Sequence, residues 1–229
     1  MKLTKYGMRE WLGSGIIAAL LLALTIIAGI KLNQPSIFIF SVLIAVSWFC
    51  IAAFFRDPAR KIPAGNDILL SPADGVVKDI ELISGNDGIS CFNGKDSIRV
   101  GIFLSVLNVH LNRAPCDMTA ESVFYKEGSF HDARNPMASK ENESMLLCAS
   151  ANAGNKTFPI GIKQISGAIA RRIVCPVTNG MNFKKGDIYG MIKFGSRTEL
   201  YFPAIPDIQL QIKVGDKVCA GTSIIAKVS

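Results

Sequence analysis

Histidine is nearly absent from this chain. His110 and His131 are the only two among 229 residues, so chemistry that needs a base titrating near neutrality has two places to find it. The six cysteines, Cys50, Cys91, Cys116, Cys148, Cys175 and Cys219, include no Cys-x-x-Cys pair. That scatter argues against a zinc site, and no metal is expected. In a cytoplasmic domain the cysteines are expected to stay reduced and to fill core. Gly-x-Gly-x-x-Gly, a Walker loop and His-Glu-x-x-His are all missing, which removes the dinucleotide, nucleotide-phosphate and zincin readings. Low-complexity linkers and tandem repeats are missing as well. The formal charge is +7, with basic pairs at Arg171-Arg172 and Lys184-Lys185. No nucleic-acid motif accompanies it, so no nucleic acid is expected as partner and an anionic lipid surface fits the charge better.

What the chain has in quantity is apolar residues, 49% of the total, and the excess lies at the front. Leu12 to Ile30 holds 19 consecutive uncharged residues and Leu32 to Phe55 holds 24, separated by Lys31. As a helix the first run reaches roughly 28 Å, close to the hydrocarbon thickness of a bilayer. Asn33-Gln34-Pro35-Ser36 supplies the turn, because proline lacks a donor and biases its predecessor away from helical angles. A cleaved signal peptide would have one apolar core and no second span, and a soluble helical pair would show a polar face. The pattern predicts a helical membrane hairpin over residues 1–56. Lys2, Lys5 and Arg9 precede it, Arg56, Arg60 and Lys61 follow it, and the loop carries only Lys31. Both ends are therefore expected on the cytoplasmic side of the cell's inner membrane. Trp11 and Trp48 are candidate interface anchors, and a re-entrant hairpin fits the same residues.

Residues 57–229 read as one β-rich domain, all-β or α+β. Short β-branched runs at Gly75 to Ile83, Ser97 to Leu104, Ser122 to Tyr125, Met145 to Cys148, Phe158 to Ile165, Ile173 to Val177 and Ile188 to Phe194 are strand candidates, punctuated by Gly, Pro, Asn and Asp. Gly167 to Val174 is also compatible with a helical turn. Ile212 to Thr222 has the strand-turn-strand rhythm of biotinyl and lipoyl carriers, and Pro72 to Val77 echoes the partner half of such a barrel-sandwich hybrid. No lysine sits in the Met-Lys-Met setting that a carrier modifies, so the architecture is expected without the modification.

Three places can carry chemistry. The first is Gly195-Ser196 within Phe194-Gly195-Ser196-Arg197. A strained Gly-Ser bond is reactive once a base deprotonates the serine. Its Oγ attacks the preceding carbonyl and turns the amide into an ester. Elimination leaves dehydroalanine, and hydrolysis releases ammonia and a pyruvoyl terminus. As a dipeptide Gly-Ser is commonplace. The second is His110, just beyond the run ending at Leu104, where a lone histidine is more often structural. The third is Asp74 in Ser71-Pro72-Ala73-Asp74-Gly75, which by itself reads as a turn aspartate.

Taken in order, Phe55-Arg56-Asp57-Pro58, Ser71-Pro72-Ala73-Asp74-Gly75, Val109-His110-Leu111-Asn112-Arg113-Ala114-Pro115, Lys140-Glu141-Asn142-Glu143, Gln164-Ile165-Ser166-Gly167-Ala168-Ile169-Ala170-Arg171-Arg172 and Phe194-Gly195-Ser196-Arg197 form a specific set. Over essentially its full length the chain resembles the short, membrane-associated form of phosphatidylserine decarboxylase. The resemblance implies a proenzyme that cuts itself between Gly195 and Ser196 into a large chain (1–195) and a small chain (196–229) that stay associated. The small chain would begin with a covalent pyruvoyl cofactor made from Ser196, with neither pyridoxal phosphate nor metal. Asp74, His110 and Ser196 match the family's self-cleavage triad, in which His110 would take the Oγ proton and Asp74 would orient the imidazole.

The substrate implied is phosphatidylserine in the membrane. Its headgroup amine would condense with the ketone, and the prosthetic group would accept the electrons left by carbon dioxide, as pyridoxal phosphate does elsewhere. His110 would then return a proton. Arg113, Glu141, Asn142 and Glu143 are candidates for the substrate site by resemblance alone. The chain departs from the pattern at Arg113, which stands at the second place of a His-x-x-His arrangement carried by many relatives. Competing classes are a membrane-anchored lipoyl-like adaptor, a pyruvoyl decarboxylase of a soluble amino acid and a serine protease. A homo-oligomer stays open.

Overall fold

The computed structural model describes residues 2–229 apart from 88, 133, 134, 136, 169–171 and 194. The chain divides into two compact units, Met1–Pro58 and Ala59–Ser229. Phe194 of the reactive motif and residues 169–171 of the ambiguous Gly167–Val174 stretch lie outside the described residues.

The first unit is a helical hairpin, α1 (Met8–Lys31) and α2 (Ile37–Phe54). Both helices are long and apolar enough to cross a membrane, and most of their large side chains face outward; Leu20 is 68% and Ile30 69% exposed. A water-soluble hairpin would bury one such face. The turn forms where the sequence predicts it. Asn33 takes a left-handed conformation at φ 49°, and the Gln34 amide bonds back to the Gly29 carbonyl at 3.1 Å, a helix stop that asparagine tolerates. Between the helices the Thr25 and Ser41 hydroxyls share a 2.8 Å hydrogen bond. The indoles expected as interface anchors donate inside the unit, Trp48 Nε1 to the Trp11 carbonyl and Trp11 Nε1 to the Thr4 carbonyl. The base of the hairpin is closed by backbone bonds Thr4 to Phe55 and Asp57 to Lys2 and by a Lys2–Asp57 ion pair at 3.1 Å.

The second unit is built on antiparallel strands: β1 (Ile68–Leu70), β2 (Gly75–Ile83), β3 (Ser97–Leu104), β4 (Leu111–Arg113), β5 (Asp117–Lys126), β6 (Ser144–Ala153), β7 (Lys156–Ile165), β8 (Arg172–Val174), β9 (Asn182–Phe183), β10 (Ile188–Lys193), β11 (Ser196–Pro203), β12 (Ile208–Leu210), β13 (Lys217–Val218) and β14 (Ile224–Val228), with one short helix, α3 (Ala138–Glu141), before β6. An eight-stranded sheet runs β13-β2-β3-β11-β7-β6-β5-β9. Two three-stranded sheets, β1-β14-β12 and β4-β10-β8, complete the described strands. Val100, Ile102 and Leu104 of β3, Ile160 and Ile162 of β7, and Leu200 and Phe202 of β11 recur at every second position in one fully buried core, the period a half-polar strand demands.

β2, β3 and most of β7 and β10 fall where their β-branched runs place them. The predicted Ile173–Val177 run is strand only over Arg172–Val174. β11 had no counterpart among the predicted strands. Cys91 and Cys148 form a disulfide, which corrects the expectation of six reduced thiols; Cys50, Cys116, Cys175 and Cys219 are free. Burial pushes the Cys116 thiol up to about 12, so it stays protonated and inert.

Candidate active site

The Gly195–Ser196 bond sits where the chain changes sheets. β10 runs between β4 and β8, and two residues later β11 enters the middle of the large sheet between β3 and β7. So abrupt a step needs an unusual backbone, and Gly195 supplies it with φ +57°, a left-handed conformation that costs an L residue about 1–2 kcal/mol. Space is not the constraint, since a Cβ there would meet only Val106 Cγ1, at 4.0 Å. Gly195→Ala is therefore expected to relax the turn and carry the Gly195 carbonyl away from Ser196. If the bond is self-cut, a time course of small-chain appearance should slow by about tenfold or more.

Ser196 is fully buried, and its Oγ has no hydrogen-bond partner. A buried unpaired hydroxyl is costly and is uncommon without a chemical reason. Beside it stands His110, also fully buried, immediately before β4. The preceding turn is held rigid by Asn108, whose Oδ1 accepts from the Ser105 amide at 2.9 Å and hydroxyl at 2.8 Å. The imidazole Nδ1 lies 3.0 Å from the Asn108 carbonyl oxygen, and a carbonyl can only accept. Nδ1 thus carries the proton and donates, and Nε2 presents a lone pair to the Gly195 amide, 3.3 Å away. This tautomer, assigned from the two contacts, is the one a general base needs.

Asp74 is buried on the turn before β2. That turn is stitched to the His110 strand, because the Pro72 carbonyl accepts from the Arg113 amide at 2.9 Å and from Asn112 Nδ2 at 3.3 Å. The Asp74 carboxylate itself is directed to Arg60, at 2.8 and 3.0 Å, and to the Ala220 amide at 2.7 Å. The group facing imidazole Nδ1 is thus the Asn108 carbonyl, while Asp74 ties the Arg60 segment and the 219–221 turn to β2.

The four remaining candidates do not act as one group. Arg113 donates from Nη1 to the Gly186 carbonyl at 2.9 Å. Asn142 is a buried clamp, with Nδ2 donating to the His131 and Ser166 carbonyls at 2.8 Å each and Oδ1 accepting from the His131 amide at 2.9 Å. Glu141 is exposed and pairs with His131 at 3.0 Å. Glu143 is half-buried, and its carbonyl accepts from the Ser166 amide at 3.0 Å. Burial raises its carboxyl above the ordinary value, Glu127 adds to that, and a Tyr125 hydrogen bond opposes it.

A family model described as phosphatidylserine decarboxylase matches residues 48–226. The chain belongs to the phosphatidylserine decarboxylase family. The phosphatidylserine decarboxylase proenzyme of Wolbachia sp. subsp. Brugia malayi is 42% identical over 178 residues, covering 77% of this chain and 74% of its own length. The proenzymes of Geotalea daltonii, 37% identical over 209 residues, and Pelobacter propionicus, 35% identical over 210 residues, each cover more than nine-tenths of this chain and 90% of their own lengths.

Two polar networks surround Gly195-Ser196, and neither is evident from single residues. On one face of β11, Arg197 forks onto Asp79 at 2.6 and 2.7 Å and donates from Nε to Glu199 at 2.8 Å. Ser139 and Tyr201 also donate to Glu199, each at 2.7 Å. Arg99 reaches Glu81 at 2.8 Å and Asp79 at 3.3 Å. Gly101 leaves room for this, since a Cβ there would stand 2.0 Å from Arg197 Nη2. Burial alone would raise the Asp79 pKa, but the Arg197 and Arg99 guanidiniums lower it overall. Its share of stability is present above the ordinary carboxylate range and is lost as pH falls through that lowered value. On the other face, Asn112 donates to Thr198 Oγ1 at 3.1 Å and accepts from Gln164 at 2.8 Å. The run Arg197-Thr198-Glu199-Leu200-Tyr201-Phe202 opens with three polar residues in a row, so it lacks the polar-apolar alternation that marks a half-buried strand.

Proposed function

We propose that this chain is a phosphatidylserine decarboxylase proenzyme that cuts itself between Gly195 and Ser196 and thereafter releases carbon dioxide from phosphatidylserine at a membrane surface. The observation that carries the reading is the pairing of a buried, unpartnered Ser196 hydroxyl with a buried imidazole whose lone pair faces the Gly195 amide, at a glycine held left-handed. No zinc or nucleotide chemistry calls for that combination. Self-cleavage needs a serine hydroxyl, a base close by and a glycine held in an unusual conformation, and all three meet at this bond.

In the first stage His110 Nε2 takes the Ser196 Oγ proton, and the alkoxide attacks the Gly195 carbonyl carbon. The Asn108 carbonyl holds the resulting imidazolium through its Nδ1–H, a part that the serine-hydrolase template gives to a carboxylate. Asp74 acts one step back, by fixing the turn that is stitched to the His110 strand. The left-handed Gly195 and the buried, dry surroundings of Ser196 fit a pyruvoyl group at position 196, with β3 and β7 holding the segment that bears it. That group supplies an electrophilic ketone and the electron sink for decarboxylation. His110 remains beside it as the residue able to deliver a proton in turnover.

The apolar hairpin favours a lipid substrate over a soluble amino acid, because tethering to the bilayer raises the effective concentration of a bilayer-borne headgroup. The basic residues flanking the helices support cytoplasmic placement of the domain at the inner membrane. The pairing of β2 with β13, Val76 with Lys217 and Gly75 with Val218, supports a barrel-sandwich of the biotinyl and lipoyl kind. A carrier of that class would remain one chain.

Intact-mass analysis of detergent-purified protein tests the reading. Residues 1–195 and 196–229 are expected as separate masses, the smaller with a blocked end that borohydride reduces. Carbon dioxide is expected from phosphatidylserine in mixed micelles and not from free serine. Active protein that remains a single uncut chain overturns the proposal.

A further inference from the structure

Three buried polar atoms on β11, on β7 and on the residue that follows β7 have no hydrogen-bond partner: Ser196 Oγ, Gln164 Oε1 and Ser166 Oγ. Their proximity follows from strand register. Arg197 pairs with Ile165 and Thr198 with Gln164, so one further step sets Ser196 across from Ser166. Alternation turns the side chains of 164, 166, 196 and 198 to one face, and directly opposed residues on a face have Cβ atoms about 5 Å apart.

The orientation of the Gln164 amide is fixed by its partners. The Pro72 carbonyl can only accept, so Asn112 turns its nitrogen there and to Thr198, leaving its oxygen for Gln164. Gln164 must then offer nitrogen to Asn112, and its oxygen points elsewhere with nothing to accept from. Ser166 is equally fixed, its amide bound to the Glu143 carbonyl at 3.0 Å and its carbonyl to Asn142 Nδ2 at 2.8 Å.

We propose that Ser166 and Gln164 form the polar subsite that receives the serine part of the lipid headgroup beside position 196. The assignment rests on the decarboxylase reading and extends it. An amide oxygen only accepts, and the one hydrogen-bond donor on that headgroup is its nitrogen, so Gln164 Oε1 takes the nitrogen. A carboxylate only accepts, so the Ser166 hydroxyl donates to it. Asn142 and Glu143 hold Ser166 in place and do not themselves contact substrate. Product keeps the nitrogen and lacks the carboxylate, which makes Ser166 the residue that tells substrate from product.

The test compares wild type, Ser166→Ala and Ser166→Thr as full-length, detergent-solubilised protein. Appearance of the small chain reports folding and self-cleavage, and all three are expected to process. Ser166→Ala is expected to raise the KM for dioleoyl phosphatidylserine by about 10- to 100-fold, the worth of one hydrogen bond to a charged group, with kcat changed far less. Ser166→Thr restores it. A second readout needs no turnover. Dioleoyl phosphatidylethanolamine is trapped on the small chain with cyanoborohydride and counted by mass, and its half-saturation is expected to be the same in Ser166→Ala as in wild type. The assignment is overturned by an unchanged KM, by equal shifts for both lipids, or by a Ser166→Ala chain that stays uncut while Ser166→Thr is cut, which would make the hydroxyl a maturation group. Wild type that remains uncut sinks the decarboxylase reading first and this assignment with it.

Discussion

Ser196→Ala is expected to give one uncut, fully folded chain without decarboxylase activity, the loss exceeding about 10³-fold as for removal of a nucleophile elsewhere. Two physical points make the outcome sharper than the usual nucleophile knockout. Ser196 Oγ is buried and bonded to nothing, so exchanging it for hydrogen removes an unsatisfied polar atom and breaks no contact. The variant should therefore melt at the wild-type precursor temperature or slightly above it. No pyruvoyl group can arise without the hydroxyl, so supplying His110 and the lipid in full cannot rescue turnover. Thermal unfolding together with intact mass checks both halves. A destabilised variant would mean that Ser196 is part of the framework, and a cut variant would mean that another bond breaks.

The second large effect is expected at Glu199, which lies outside the expected catalytic trio. Glu199→Ala in the uncut Ser196→Ala background should lower domain stability by about 3–5 kcal/mol, the cost of breaking one member out of a buried ionic network. For a domain of this size that is about 6–20 °C in melting temperature. The carboxylate is fully buried and accepts from Arg197, Ser139 and Tyr201. Removing it leaves Arg197 Nε and the Ser139 and Tyr201 hydroxyls without their acceptor, although Arg197 keeps its fork onto Asp79. Glu199→Gln keeps the shape and should cost less. Arg197 is bonded in sequence to Ser196, so in the otherwise wild-type chain Glu199→Ala should also delay appearance of the small chain. A melting shift below about 2 °C would show the network to be energetically idle.

These expectations bear on what could be read before the fold was known. β2 and β3 were legible because Val76, Val77, Val100 and Ile102 are β-branched and bounded by turn residues. The hairpin was legible because nothing charged interrupts its runs, and the Asn33 turn because proline follows. β11 was hidden by its own chemistry. Arg197 and Glu199 look like solvent-facing residues, and only knowledge of Asp79, Ser139 and Tyr201 as partners makes them interior. The Cys91–Cys148 bond spans 57 residues with no spacing cue. Chemistry and resemblance point to Gly195, Ser196 and His110, which the fold brings together, but not to Asn108, because a backbone carbonyl leaves no trace in residue types. In the sequence Gln164 and Ser166 stand out only by their order in the chain, and residue types do not show which of their atoms go unsatisfied.

The place of β11 has a consequence for the life of the molecule. It bonds along its length to β3 on one side and β7 on the other, while β13 and β14 behind it pair with β2 and β1. The cut proposed at its first residue would leave a fragment threaded through its partner from centre to edge, so that such a nick would release nothing. Unfolding undoes that permanently. The two pieces would have to find one another by diffusion, without the covalent link that keeps them together in the precursor. Heat or detergent damage after processing is therefore expected to be irreversible where damage to the uncut precursor is not.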